Sequence, residues 1–326
     1  MSPRARVRLV AGAAALAAAG IAVGATLMGR DDEPEPARRA ERGPPPLELG
    51  ITLRNDAEAR ELRAAERVYD GGNAAAARER FEGILEDDPE SLEAGVGEAI
   101  ASWPNGTLST LEALADEEPR SALIRLHLGL AYYAAGQDSA ATAQWREALR
   151  TDPDSPAALR AEDLLHPDMA PGRPFFYARF DPPAGLEGLA PARQLQKLER
   201  RAAAGDARAN LLYGAALQRA GRPVAASAAF THALELEPDD LDAQVADAVG
   251  RFDKAEPAAA FSRLGPLASR NPRSGVVRFH LGLLLLWIRD VEGAETQLER
   301  AVRADPDGFY GTEAKRLLSG LEAIRT

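Results

Sequence analysis

The chain of 326 residues contains no cysteine. Disulfides, thiolate catalysis and cysteine-held metals are therefore excluded, and the redox compartment stays open. It also lacks a glycine-rich phosphate loop ending in Gly-Lys-Ser/Thr, an H-E-x-x-H pair and a G-x-S-x-G elbow. Its four histidines do not cluster. His127 and His280 lie in near-identical strings, RLHLGL and RFHLGL, which marks a structural slot, and His166 and His232 stand elsewhere. Asp152-Pro153-Asp154-Ser155 and Asp305-Pro306-Asp307-Gly308 look like the start of a calcium loop, but the later ligands and the closing glutamate are missing. These absences leave no catalytic set, no metal and no cofactor to expect, and point to a non-enzymatic chain.

What is present is helical periodicity. In residues 122–153, Leu123, Leu126, Leu128, Leu130 and Tyr133 follow a helical pattern that Gly136-Gln137-Asp138 interrupts. Ala141, Trp145, Ala148 and Leu149 then recur at spacings of three and four, and Asp152-Pro153 ends the second helix. Either helix alone leaves an apolar stripe in water. Pairing and then stacking on similar neighbours covers it, so such a unit calls for copies.

The copies share one frame. Leu128-Gly129, Tyr132, Ala141, Trp145, Ala148 and Pro153 are matched by Gly214, Leu217, Ala226, Phe230, Ala233 and Pro238, and by Gly282, Leu285, Ala294, Leu298, Ala301 and Pro306. A worn copy has Ala248, Ala260, Leu264, Leu267 and Pro272; upstream come Ala65, Val68, Ala77, Phe81, Ile84 and Pro89, then a shortened copy with Gly95, Leu111, Leu114 and Pro119. The pattern resembles the tetratricopeptide repeat, a helix-turn-helix of about 34 residues. The fold expected is all-α, an α-solenoid of stacked helix-turn-helix repeats with an amino-terminal transmembrane helix. Small residues at Gly129, Gly214 and Gly282 are expected to cross closely against Ala141, Ala226 and Ala294, with Trp145, Phe230 and Leu298 filling the wedge beside each crossing. The second repeat, whose turn is Trp103-Pro104-Asn105-Gly106, lacks the small residue of its second helix and is expected to pack least regularly.

At the amino terminus Arg4, Arg6 and Arg8 precede an uncharged run over residues 9–29, long enough at about 20 residues to cross a bilayer. Residues 1–29 are therefore predicted to be a signal-anchor, with cleavage after Ala22-Val23-Gly24 as the secreted alternative. The arginines favour the cytoplasmic side, so the repeats face outward from the cytoplasmic membrane. Gly20 and Gly24 form a G-x-x-x-G that allows a homodimer through the anchor. The chain carries a net −11, a balance that repels nucleic acid.

Residues 30–55, rich in proline and charge, read as an extended spacer. Residues 56–166 hold repeats 1–3 and a capping helix that starts at Pro156. Residues 167–190 form an insert with Pro167, Pro171 and Pro174 and the aromatics Phe175, Phe176, Tyr177 and Phe180. Residues 191–326 hold a leading helix, repeats 4–6 and a last capping helix.

The resemblance implies a concave groove that meets a protein or peptide partner. By register its lining is Leu123, Leu126, Leu130 and Tyr133 in repeat 3, Arg208, Leu211, Gln218 and Arg219 in repeat 4, Val245, Val249 and Phe252 in repeat 5, and Phe279, Leu283, Leu286 and Trp287 in repeat 6. The lysine and asparagine clamp by which some relatives hold a terminal carboxylate is absent. An apolar groove needs an occupant, either a partner segment or the chain's own aromatic insert. The expected function is a membrane-tethered scaffold for assembly or maturation of an envelope component such as c-type cytochromes. A secreted binder of a small apolar ligand or glycan is the alternative, and an enzyme with its site in the insert a third reading.

Overall fold

The computed structural model describes residues 42–51, 54–181 and 184–325. They divide into two compact units, one of residues 42–165 with 220–222 and the other of residues 166–219 with 223–325. Among the described residues the regular elements are all α-helices. No helix there is long and apolar enough to cross a membrane. The run 9–29, with its glycine pair and the membrane and dimer expectations attached to it, lies outside the described residues.

The first unit holds the hairpins α1 (Ala57–Asp70) with α2 (Ala74–Asp87), α3 (Leu92–Ala101) with α4 (Thr107–Glu117), and α5 (Ala122–Ala134) with α6 (Asp138–Thr151), then a single helix α7 (Pro156–Leu165). The second holds a leading helix α8 (Pro191–Ala202), the hairpins α9 (Ala207–Arg219) with α10 (Pro223–Leu236), α11 (Leu241–Gly250) with α12 (Ala258–Arg270), and α13 (Gly275–Trp287) with α14 (Val291–Ala304), then α15 (Phe309–Arg325). Within each unit every helix packs on the next, and the first helix of a hairpin also reaches that of the following one, so each unit is a segment of α-solenoid.

Short polar residues start the helices. Asp56, Ser91, Ser121, Asp240 and Ser274 each accept a hydrogen bond from a backbone N–H in the first turn of the helix that follows. At one equivalent place in the hairpin turns the backbone is left-handed, and Gly72, Gly136 and Gly221 occupy it at φ of 84°, 75° and 71°. In the last hairpin the residue there is Arg289, at φ 60°. Its guanidinium donates to the carbonyl of Pro167, a contact that glycine cannot make.

The close crossings are as the frame requires. A Cβ built on Gly129 would lie 2.4 Å from Trp145, one on Gly214 2.4 Å from Phe230, and one on Gly282 2.9 Å from Leu298. Phe81 and Phe230 are fully buried in these wedges, each contributing about 1.5–3 kcal/mol. In the second hairpin the helices are shorter, and a Cβ built on Gly95 would meet Leu114 only at an ordinary 3.7 Å. Gly214→Ala is expected to lower stability in urea denaturation by about 1–3 kcal/mol, since the buried ring has nowhere to go. Gly83→Ala, on an exposed face where an added Cβ meets nothing within 4 Å, should instead raise stability by about 0.5–1 kcal/mol.

Candidate functional site

The repeat faces predicted to meet a partner already hold an extended piece of chain. In the second unit the aromatic insert runs across them. Phe176 is fully buried, with Phe230 edge-on at 5.6 Å and His280 stacked at 5.2 Å, while Tyr177 meets the Phe279 ring at 5.2 Å. The backbone of this strap is held by side chains. Gln218 accepts from the Phe176 N–H at 2.8 Å and donates to the Pro174 carbonyl at 3.2 Å. His280 Nε2 accepts from the Tyr177 N–H at 2.9 Å, and the Tyr310 hydroxyl donates to the Tyr177 carbonyl at 3.0 Å. At the strap's start Lys254, itself buried, donates to the Ala170 carbonyl, and Trp287 Nε1 donates to the Gly172 carbonyl.

The first unit has a strap of its own. Residues 42–51 are not the extended spacer that their composition predicts: Pro45, Leu47, Leu49 and Ile51 are buried at alternate positions against α1, α3 and α5 residues. Period-two burial is what an extended segment with one covered face gives. Tyr69 donates to the Pro45 carbonyl at 2.6 Å, and burial pushes its hydroxyl up to about 12, so it stays a donor. Glu66 accepts from the Leu49 N–H at 2.9 Å, and His127 Nε2 from the Glu48 N–H at 3.1 Å. Arg160 pairs with Glu48 at 2.8 Å. Arg42 pairs with Asp138 and lies over the Tyr133 ring.

The two straps are held at matching places. Superposing the frames sets Tyr69 on Gln218 and His127 on His280; on the straps it sets Pro45 on Pro174 and Glu48 on Tyr177. Each histidine has one possible tautomer. Its Nε2 faces an amide donor and must accept, so Nδ1 carries the proton and donates one turn back, to the Leu123 carbonyl at 2.8 Å and the Val276 carbonyl at 2.7 Å. Both rings are fully buried, and desolvation takes each pKa down from 6.5 to about 4.

Where the predicted lining residues fall follows from the straps. Leu211, Val245, Val249, Phe252, Phe279, Leu283 and Trp287 are buried in one core with Phe176, and Leu286 packs half-buried on it. Leu126 and Leu130 are buried with Trp145, Ala157 and Ala161 of α6 and α7, and Leu123 is half-buried beside them. Gln218 is half-buried under the strap. Tyr133, Arg208 and Arg219 are exposed, Arg208 lying over the Phe180 ring at 5.0 Å. The lining is therefore not an open apolar groove, because most of it is core beneath the chain's own straps and capping helix. Sequence reasoning missed Glu66, Tyr69, Lys254, Tyr310 and Asp242, the partner of the strap's Arg179, as strap holders. The paired RLHLGL and RFHLGL strings and the alternation from Pro45 to Ile51 were the available signals.

No group of metal-ligating side chains occurs among the described residues. An open cleft of about 460 Å³ lies along α10 and α11, with Ser227, Thr231, His232 and Arg251 on its walls. His232 stands exposed beside Glu235 at 3.4 Å. Nothing in that cleft pairs a nucleophile with an oriented base.

Protonating either histidine sets an N–H against the strap's N–H. A folded pKa below the unfolded value means the unfolded chain binds the extra proton, so this stability is complete above about pH 6.5 and falls as the pH drops toward 4. Between pH 7 and pH 4.5 each histidine is expected to remove about 2 kcal/mol. Urea denaturation of His127→Gln/His280→Gln, which keeps an acceptor that does not titrate, should show a clearly smaller loss over that range.

No protein-family model matches the chain, and no curated protein matches it. Among solved structures it is similar to a human IFIT1 dimer with PPP-AAAA at 16% identity and TM-score 0.34, over 83% of this chain and 65% of that one. It is also similar to TTC0263, a thermophilic tetratricopeptide-repeat protein of Thermus thermophilus, at 22% identity and TM-score 0.29 over 60% and 98% of the two chains. A tetratricopeptide-repeat protein of Parabacteroides merdae matches at 14% identity and TM-score 0.33 over 82% and 99%. At such scores the likenesses carry no argument, and the reading of stacked helical hairpins rests on the crossings and turns described above.

Proposed function

We propose that the chain is a non-enzymatic interaction scaffold whose two helical units are built to hold extended polypeptide. The observation that carries this reading is the repeated grip: in both units, side chains at equivalent repeat positions bind the backbone of a segment with no helical or strand structure. Backbone recognition plus a pocket for an alternate side chain is how folded domains take up extended peptides. Here the first occupants are the chain's own straps. A partner segment meets the lining that stays exposed, at Tyr133, Arg208 and Arg219, or takes a strap's place.

The finer reading joins this scaffold to a membrane. Residues 9–29 would anchor it with the repeats on the outer side of the cytoplasmic membrane, where it would hold a partner during assembly or maturation of an envelope component such as a c-type cytochrome. The acidic balance argues against nucleic acid as the partner. The secreted ligand-binder reading weakens because the apolar lining it needs is core.

A photo-crosslinking residue placed at Tyr133 or Arg208 in the full-length chain tests the scaffold. One recurring protein should be captured from both positions and not from Glu79 on the exposed face of α2. The same proteins from all three sites, or none, would contradict it. Alkaline extraction of membranes tests the anchor: the chain should stay in the pellet, and release with a new amino terminus near Gly24 would favour export.

A further inference from the structure

Removing the strap from the second unit would take from several polar groups the partners that it now supplies. Asp242 has a carboxylate 6% exposed, paired with Arg179 at 2.8 Å and lying 3.2 Å from the Tyr310 hydroxyl, whose single proton it shares with the Tyr177 carbonyl. The fully buried His280 would lose its donor, and Gln218 would lose both partners of its amide. An occupant that supplies the same set regains those hydrogen bonds, so the groove favours a segment that matches the strap group for group. The strap is also open on one side: Phe175, Tyr177 and Phe180 are half-buried and Arg179 is exposed, so among the described residues no element closes over it.

The set is specific in its order. The Pro174 carbonyl is an acceptor on a residue that has no N–H to satisfy and whose φ is already extended. Two residues later Phe176 fills the space between Phe230 and His280. The next N–H goes to His280. Five residues after the proline comes the cation that Asp242 needs. The first unit shares the proline, an apolar residue two later and the N–H to a histidine, but at the fifth place it has Gly50. Its counterpart of Asp242 is Glu93, paired at 3.0 Å with Arg54, nine residues after the proline instead of five.

We propose, resting on the scaffold reading above, that the partner of the second unit's groove is an extended segment of the form Pro-x-aromatic-x-x-Arg, which displaces the strap by remaking its bonds. The straps are built-in examples of two different ligands. What tells them apart is the aromatic residue two places after the proline and the arginine five places after it, which brings its cation to Asp242.

The test uses the full-length chain carrying Phe176→Ala and Arg179→Ala, which weakens its own strap, and a fluorescent peptide of residues 170–181 supplied in trans. The peptide should bind this variant at least tenfold more tightly than the wild-type chain. A peptide with Arg179→Glu should lose at least tenfold, and a peptide of residues 42–51 should not compete. If the double variant does not fold by circular dichroism, Arg179→Ala alone keeps the apolar packing and should show the same ranking at higher peptide concentration. No binding to a folded variant, or equal binding of the Arg179→Glu peptide, overturns the proposal. Crosslinks from Tyr133 and Arg208 are independent of this titration, so the scaffold reading can stand when the peptide rule falls.

Discussion

The structure depends on a hydrogen bond from an extended backbone to a buried imidazole. Stacked helical hairpins present an apolar face that cannot be left in water, and the chain covers it with its own extended segments. An extended segment brings unpaired N–H and C=O groups with it, and burying these without partners costs more than the apolar contact gains. His127 and His280 resolve that conflict at the same repeat position, each accepting from one strap amide while its other nitrogen donates to its own helix.

The remaining contacts arrange themselves around this bond. Tyr69 and Gln218 fix the strap carbonyl three residues before the histidine-bound amide, which sets the register. With the register set, every second residue points inward, so Leu47 and Phe176 enter the cores. The glycine crossings bring each hairpin's helices close enough for that core to be continuous. The two units differ where the straps differ, aliphatic residues and Glu48 in one, aromatic residues and Arg179 in the other. A shared scaffold with two strap chemistries suits an interaction module more than an enzyme.

Much of the scaffold was legible in the sequence. Gly129, Gly214 and Gly282 with their opposing residues are local, periodic signals that tertiary context did not override. The aromatic insert stood out as a candidate occupant because Phe175 to Phe180 has no helical period and is too apolar to lie in water. The first strap was misread because Pro44-Pro45-Pro46 and the charges at Arg42 and Glu48 have the composition of a spacer, and an alternation of four residues is a weak signal. Tyr69, Glu66 and Lys254 look like ordinary helix and turn residues; their partners lie 17 to 84 positions away. The predicted groove residues sit on the expected helices, but their exposure depends on the straps, which a repeat frame does not encode.

Hydrogen exchange of the strap amides in the full-length chain tests this account most directly. At pH 7 the peptides covering residues 45–51 and 174–180 should exchange more slowly than the same sequences as free peptides by a factor of at least about 100, with the amides of Glu48 and Tyr177 among the slowest. Exchange at the free-peptide rate while the hairpin helices stay protected would mean that the straps are not part of the folded core, and that the grooves are open.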